Sequence, residues 1–343
     1  MKGRFPNFIQ WIKDHQLISF FLLTFLITWG LGFSYWAVVR GGKFLLAPVF
    51  FLATCGPALA GIIISVLTGS RQNPAGRRIT WSVFFIVWIL ALAVFILNFI
   101  FINKASVSPI IIVVVAVSAL PVAFIVSMVY TRFPIVRGFL FLPAHDRSNL
   151  RWIVTALILL PALTLISIFV SQFLGRSSNS FANLPSAGIT LFGWLIIKFL
   201  YQFFFFNGTG EEVGWRGFAL PRLQVHVSPL IAGLVLALIW VPWHVFLWHA
   251  EGRPINTWSF WLMSYSVHIP AAVIICWLFN KSGGSILAAG IAHAAANTAM
   301  ALFNNLDANI LSLTFFVFVV VIVFTDRMWR KLPKDHPAVY RMN

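Results

Sequence analysis

Leu17–Val39 reads LISFFLLTFLITWGLGFSYWAVV, 23 consecutive residues without a charge. A helix of that length is about 35 Å long, enough to cross a hydrocarbon core of about 30 Å. The run is too long for the core of a signal peptide and has no A-x-A-like exit, so it reads as a first membrane span. Nine further apolar runs follow: Phe44–Leu67, Trp81–Ile102, Ser108–Tyr130, Trp152–Leu174, Ala187–Phe206, Pro229–Trp248, Trp258–Phe279, Ser285–Phe303 and Asn309–Thr325. The composition agrees with this density of spans. Of the 343 residues 60% are hydrophobic and only 9% charged, against about 25% charged in a typical soluble domain. With a mean hydropathy of +0.91, soluble globular and disordered readings are both excluded. The expected fold is an all-α, polytopic membrane bundle of about ten spans.

The net charge is +16, from 24 Lys and Arg against 8 Asp and Glu. Nucleic-acid binding is not expected, because the basic residues are scattered through short loops rather than gathered on one soluble face. Their alternation sets topology instead. With the N-terminus inside, cytoplasmic segments hold 18 of them, including Arg71, Arg77, Arg78, Arg137, Arg216, Arg222, Lys281 and Arg327. Outer loops hold five: Arg40, Lys43, Lys104, Arg176 and Arg253. That bias predicts an integral membrane protein with both termini cytoplasmic. The polar break Gly175–Ser186 divides the chain into residues 1–186, spans of unassigned role, and 187–325, which carry the chemistry; residues 326–343 form a basic tail. Cys55 and Cys276 lie inside apolar runs and say nothing about redox compartment.

Six of the acidic residues fall in loops or tails. Glu211 and Glu212 instead follow the run that ends at Phe206 and its short Asn207–Gly210 extension, and ionisable groups at membrane depth are costly enough to suggest function. Glu212 and Arg216 are four apart and share a helical face. Their pairing leaves Glu211, about 100° round the helix, without a local counter-charge and suited to act as a general base. The opposing reading is an ion pair just outside the membrane, worth little. Three histidines, His244, His268 and His293, lie within spans. His293 shares a face with Asn297, and His244 follows Trp240 by four with Pro242 between them. His268 has no polar partner at helical spacing and reads as structural.

Glu211-Glu212-Val-Gly-Trp-Arg216, Trp240-x3-His244 and His293-x3-Asn297, in that order, resemble the three motifs of the CPBP (CAAX protease and bacteriocin-processing, or Abi) family of intramembrane proteases. The likeness covers roughly Phe199–Phe303, and Gly210–Gln224 resembles the first motif as bacterial members carry it. Trp240 stands where many members have Phe. The resemblance implies a bacterial plasma-membrane endopeptidase that hydrolyses a membrane-bound or lipidated peptide or protein. Glu211 would activate a water, with Glu212, Arg216 and Trp240 in support. His244, His293 and Asn297 would orient that water and stabilise the oxyanion. Two histidines and a carboxylate also form a zinc ligand set, so Glu211, His244 and His293 would be the ligands if a metal such as zinc is used. The sequence holds no HExxH to fix such a site.

Two other readings compete: a non-catalytic scaffold or bacteriocin self-immunity protein on the same fold, and a transporter. The scaffold predicts loss of a Glu, His or Asn, and none is lost. The transporter predicts matched polar spans in both halves, whereas the first half offers only Pro57, Pro121 and Pro161. The protease reading carries a geometric tension. By helix rise His293 lies about 12 Å beyond Ser285, whereas His244 lies about 22 Å beyond Pro229. One shared site, reached from the cytoplasmic face, requires the two depths to be reconciled.

Overall fold

The computed structural model describes residues 8–38, 46–69, 81–132, 147–176, 189–303 and 306–340. The arginines at 71, 77, 78 and 137, the residues Arg40 and Lys43, and the proposed boundary at 186/187 fall outside these segments. All ten apolar runs form helices, giving an all-α polytopic membrane bundle. Among the described residues eight helices are long and apolar enough to span a bilayer. The other two runs explain why the total falls short of ten. Ile286–Leu302 is apolar but short. The run Phe44–Leu67 is broken into Ala47–Thr54 and Gly56–Thr68, bent by 60°.

The break sits at Cys55, just before Gly56-Pro57. Proline has no N–H to donate back along a helix, so it restarts one more readily than it continues one. Thr28, on the helix Gln16–Val38, donates its hydroxyl to the Ala53 carbonyl at the break (3.0 Å) and accepts from the Trp243 indole (2.9 Å). Two broken backbones are thereby tied together, because the helix Pro229–Trp243 also ends here, followed by His244 and a short helix Val245–Ala250.

The sixth run does not end at Phe206. It continues to His226 as one 36-residue helical stretch. Leu191–Phe205 is α-helical, Asn207–Glu211 and Trp215–Ala219 are π turns, and Leu220–His226 is α-helical again. Glu212 and Arg216 are consequently interior residues, with 0% and 1% of their surface exposed. Arg216, grouped with a cytoplasmic loop by its sequence position, belongs instead to the core.

One face of the bundle gathers the basic groups. Arg222 bonds Gln16 (2.9 Å) and lies over the Tyr340 ring, while Lys281 pairs with Asp326. The segment after Thr325 folds back over this face rather than hanging free. Its Met328 carbonyl accepts from the Leu230 N–H, its Tyr340 N–H donates to Pro221, and Met328 and Ala338 are buried. The opposite face carries Arg253, Glu251 and the Arg176–Asp307 pair.

Candidate active site

The Leu191–His226 helix places six consecutive residues, Asn207 to Glu212, in the interior. A polar run survives there because its neighbours approach at backbone distance. A Cβ on Gly214 would stand 2.3 Å from the Pro57 carbonyl carbon, and one on Gly210 would stand 3.0 Å from the Thr54 carbonyl oxygen. The bend in the broken second span therefore forms the back wall of the motif. Residues before 187 are part of the site's construction.

The two glutamates, adjacent in sequence, serve different partners. Glu212 Oε1 accepts from Arg216 (2.7 Å) and from His293 Nδ1 (2.8 Å), so its charge is answered locally. Arg216 also stacks over the Trp240 ring at 5.2 Å. Glu211 is held by neutral donors. Asn207 Nδ2 donates to its Oε1 at 3.0 Å and the Trp240 indole to its Oε2 at 2.8 Å. The nearest imidazole nitrogen to it is His244 Nε2, 4.0 Å from Oε2.

Asn207 is the hub of this network, and the motif reading passed over it. Its amide has two hydrogens: one goes to Glu211 and the other to His293 Nε2 (3.2 Å). Its carbonyl oxygen accepts from Asn297 Nδ2 (3.1 Å). The signal was present, since Asn207 lies four residues before Glu211, on the same helical face. His293 donates from Nδ1 to Glu212 and accepts at Nε2, so both of its nitrogens are engaged. His244 gives its Nδ1 to the Trp240 carbonyl (2.9 Å), which leaves the Nε2 lone pair facing Glu211.

The two histidines meet across Trp240, whose ring centroid lies 5.2 Å from that of His244 and 5.1 Å from that of His293. The His244 ring packs against Trp240, one turn earlier on the same chain segment, and the large indole spans the distance to His293. His268 joins the same wall, 5.3 Å from both the Trp240 and His244 rings, with Nδ1 on the Ser264 carbonyl.

Glu211, Trp240, His244, His293 and Asn297 all line one cavity of about 870 Å³, shared with Asn207 and His268. Tyr35, Trp36 and Phe50 contribute to its wall from the N-terminal half. Polar lining outside the motifs comes from Lys198, Gln202, Glu251 and Arg253. Glu251 and Arg253 lie on the face opposite the basic one, so the cavity runs away from Arg222 and Lys281. That differs from the expected approach through the basic face.

Glu211, His244 and His293 do not gather as a zinc ligand set. His293 spends both nitrogens on Glu212 and Asn207, and no three His, Cys, Asp or Glu side chains among the described residues converge on a common point. What the arrangement offers is a partly unneutralised carboxylate and an imidazole lone pair facing each other in a cavity. The 4.0 Å gap is too long for a hydrogen bond, yet one water can sit about 2.8 Å from both.

Residues 192–299 match the family model described as type II CAAX prenyl endopeptidase Rce1-like. A curated relative, CAAX prenyl protease 2 of Methanococcus maripaludis, is 31% identical over 150 residues, covering 42% of this chain and 54% of the relative. The chain thus spans about half the length of the curated relative it matches.

Proposed function

We propose that the protein is an intramembrane endopeptidase of the CAAX-protease type, in keeping with the match of residues 192–299 to the Rce1-like family model, and that Glu211 activates a water for peptide-bond hydrolysis. The observation that carries this reading is the pairing of Glu211 Oε2 with His244 Nε2 across 4.0 Å inside the cavity. A water donating one hydrogen to each leaves its lone pair aimed outward, at a carbonyl carbon in the cavity. As the water attacks, its proton passes to Glu211, which later gives it to the leaving amine. Trp240 and Asn207 fix the carboxylate, so little reorganisation is needed at the moment of reaction. Asn297 lines the cavity and its amide faces the developing oxyanion. His293 acts through Asn207 and Glu212, holding them in place rather than touching substrate. The substrate is a membrane-associated or lipidated peptide, in keeping with the apolar walls and the bilayer around the site.

The test is hydrolysis of a quenched peptide library by purified protein in detergent, comparing wild type with Glu211→Gln. The substitution keeps the side-chain shape and removes the base, a loss of about 10²–10⁴-fold in rate. Full activity in the variant, with the same cleavage products, would reject the mechanism.

A further inference from the structure

Lys198 is a cation within a membrane-spanning helix that no carboxylate answers among the described residues. It sits in the interior third of Leu191–Phe205 and rests near the Tyr201 ring, at 5.7 Å. Its position on the helix is specific. Lys198, Gln202 and Phe206 follow one another at intervals of four, and all three line the cavity that holds Glu211. One face of this helix therefore forms a continuous strip from Lys198 to the carboxylate's own hydrogen-bond donor, Asn207. Charges at membrane depth are retained for a partner or a ligand. The other cationic side chains nearby are already committed, Arg216 to Glu212 and Arg253 to Glu251. Lys198 is left to meet something that enters.

We propose that Lys198 is a specificity residue that recognises a carboxylate of the bound peptide, a few residues from the bond that Glu211 addresses. The inference rests on the peptidase reading and adds the chemistry of the substrate. Nine residues of helix separate Lys198 from Asn207, a rise of about 13.5 Å. An extended peptide covers about 3.4 Å per residue, so the carboxylate falls about four residues from the scissile carbonyl. Gln202, one turn nearer the site, stands where it can bond the intervening backbone. A charge-assisted hydrogen bond in such a site carries discrimination of about tenfold or more. The carboxylate has two sources, the free C-terminus of the peptide or an acidic side chain at the same distance.

Three quenched peptides that share the cleaved sequence separate these cases: one ending in a free acid, one ending in an amide, and one ending in an amide with Asp as its last residue. Wild type is expected to cleave a carboxylate-bearing peptide at least tenfold more efficiently than the plain amide, mainly through KM. Lys198→Gln should lower that peptide to the level of the amide and leave the amide rate unchanged, while Lys198→Arg should retain part of the preference. Preference for the free acid alone assigns the terminus, and equal use of the Asp peptide assigns a side chain. Equal cleavage of all three by wild type, or an equal loss on all three in Lys198→Gln, overturns the proposal. Binding of the same peptides to Glu211→Gln, read by tryptophan fluorescence, keeps the two readings apart. If wild type cleaves nothing, a Lys198-dependent preference in binding still upholds carboxylate recognition, and its absence refutes it.

Discussion

Asn207 and Glu211, one helical turn apart, are joined by a 3.0 Å hydrogen bond from amide to carboxylate. The same amide group holds His293, and its oxygen holds Asn297. Two helical segments, Asn207–Glu211 and Ile286–Leu302, are thus registered on one side chain that no motif reading named. Asn207→Ala should lower kcat by about 10²-fold while KM stays within a few-fold, because misplacing a reacting group by about 1 Å costs that much. Steady-state kinetics on a cleavable peptide decides the matter. An unchanged kcat would show that Asn207 is dispensable to the alignment.

Glu212 and Arg216 form a buried pair at 2.7 Å. Removing either partner strands the other, which costs about 3–5 kcal/mol. Glu212→Gln and Arg216→Gln should each lower the melting temperature in detergent, and the double variant should recover part of the loss. Strictly additive losses would show that the two charges do not depend on one another.

Gly214 lies against the bend in the broken second span. An added Cβ would meet the Pro57 backbone at 2.3 Å, whereas one on Gly30 would meet nothing within 4 Å. Gly214→Ala should destabilise the protein by about 1–3 kcal/mol as an overpacking change. Gly30→Ala, within a helix, should be neutral or slightly stabilising. Thermal unfolding of the two variants side by side provides the comparison, and similar melting temperatures would contradict the close approach.

The cavity runs toward Glu251 and Arg253, away from Lys281 and Arg222. Cysteines placed at 202 and 253 should therefore react with an impermeant thiol reagent from one side of the membrane, and a cysteine at 281 from the other. By the distribution of Lys and Arg, 281 is expected to label from the cytoplasmic side. Labelling of 202 and 281 from the same side would contradict the direction of the cavity.

The spans were legible because an uncharged run of about 20 residues has few other fates. The end of the sixth was not. Asn207, Gly208, Thr209 and Gly210 look like a loop in sequence, and only the close backbone of Thr54 and Pro57 lets them continue as a helix inside the bundle. The carboxylates and histidines were legible from their spacing and order, since four-residue intervals put partners on one face. Asn207 obeys the same rule toward Glu211. It was obscured by the assumption that the helix had already ended. The place of His268 beside His244 arises from packing between two helices and leaves no trace in local spacing.

The bend at Cys55 also has a consequence in time. Residues 54–57 emerge from the ribosome some 150 residues ahead of the polar turn they enclose, and segments nearer the N-terminus settle first during synthesis. A nascent chain that stops short of Leu191 holds the mould without the carboxylates. On the proposed reading, the hydrolytic site is completed only when the second half docks onto the first, because a half-made copy lacks Glu211 and Glu212. Co-expressed fragments divided between 176 and 189 would have to find one another in the bilayer before either gained activity.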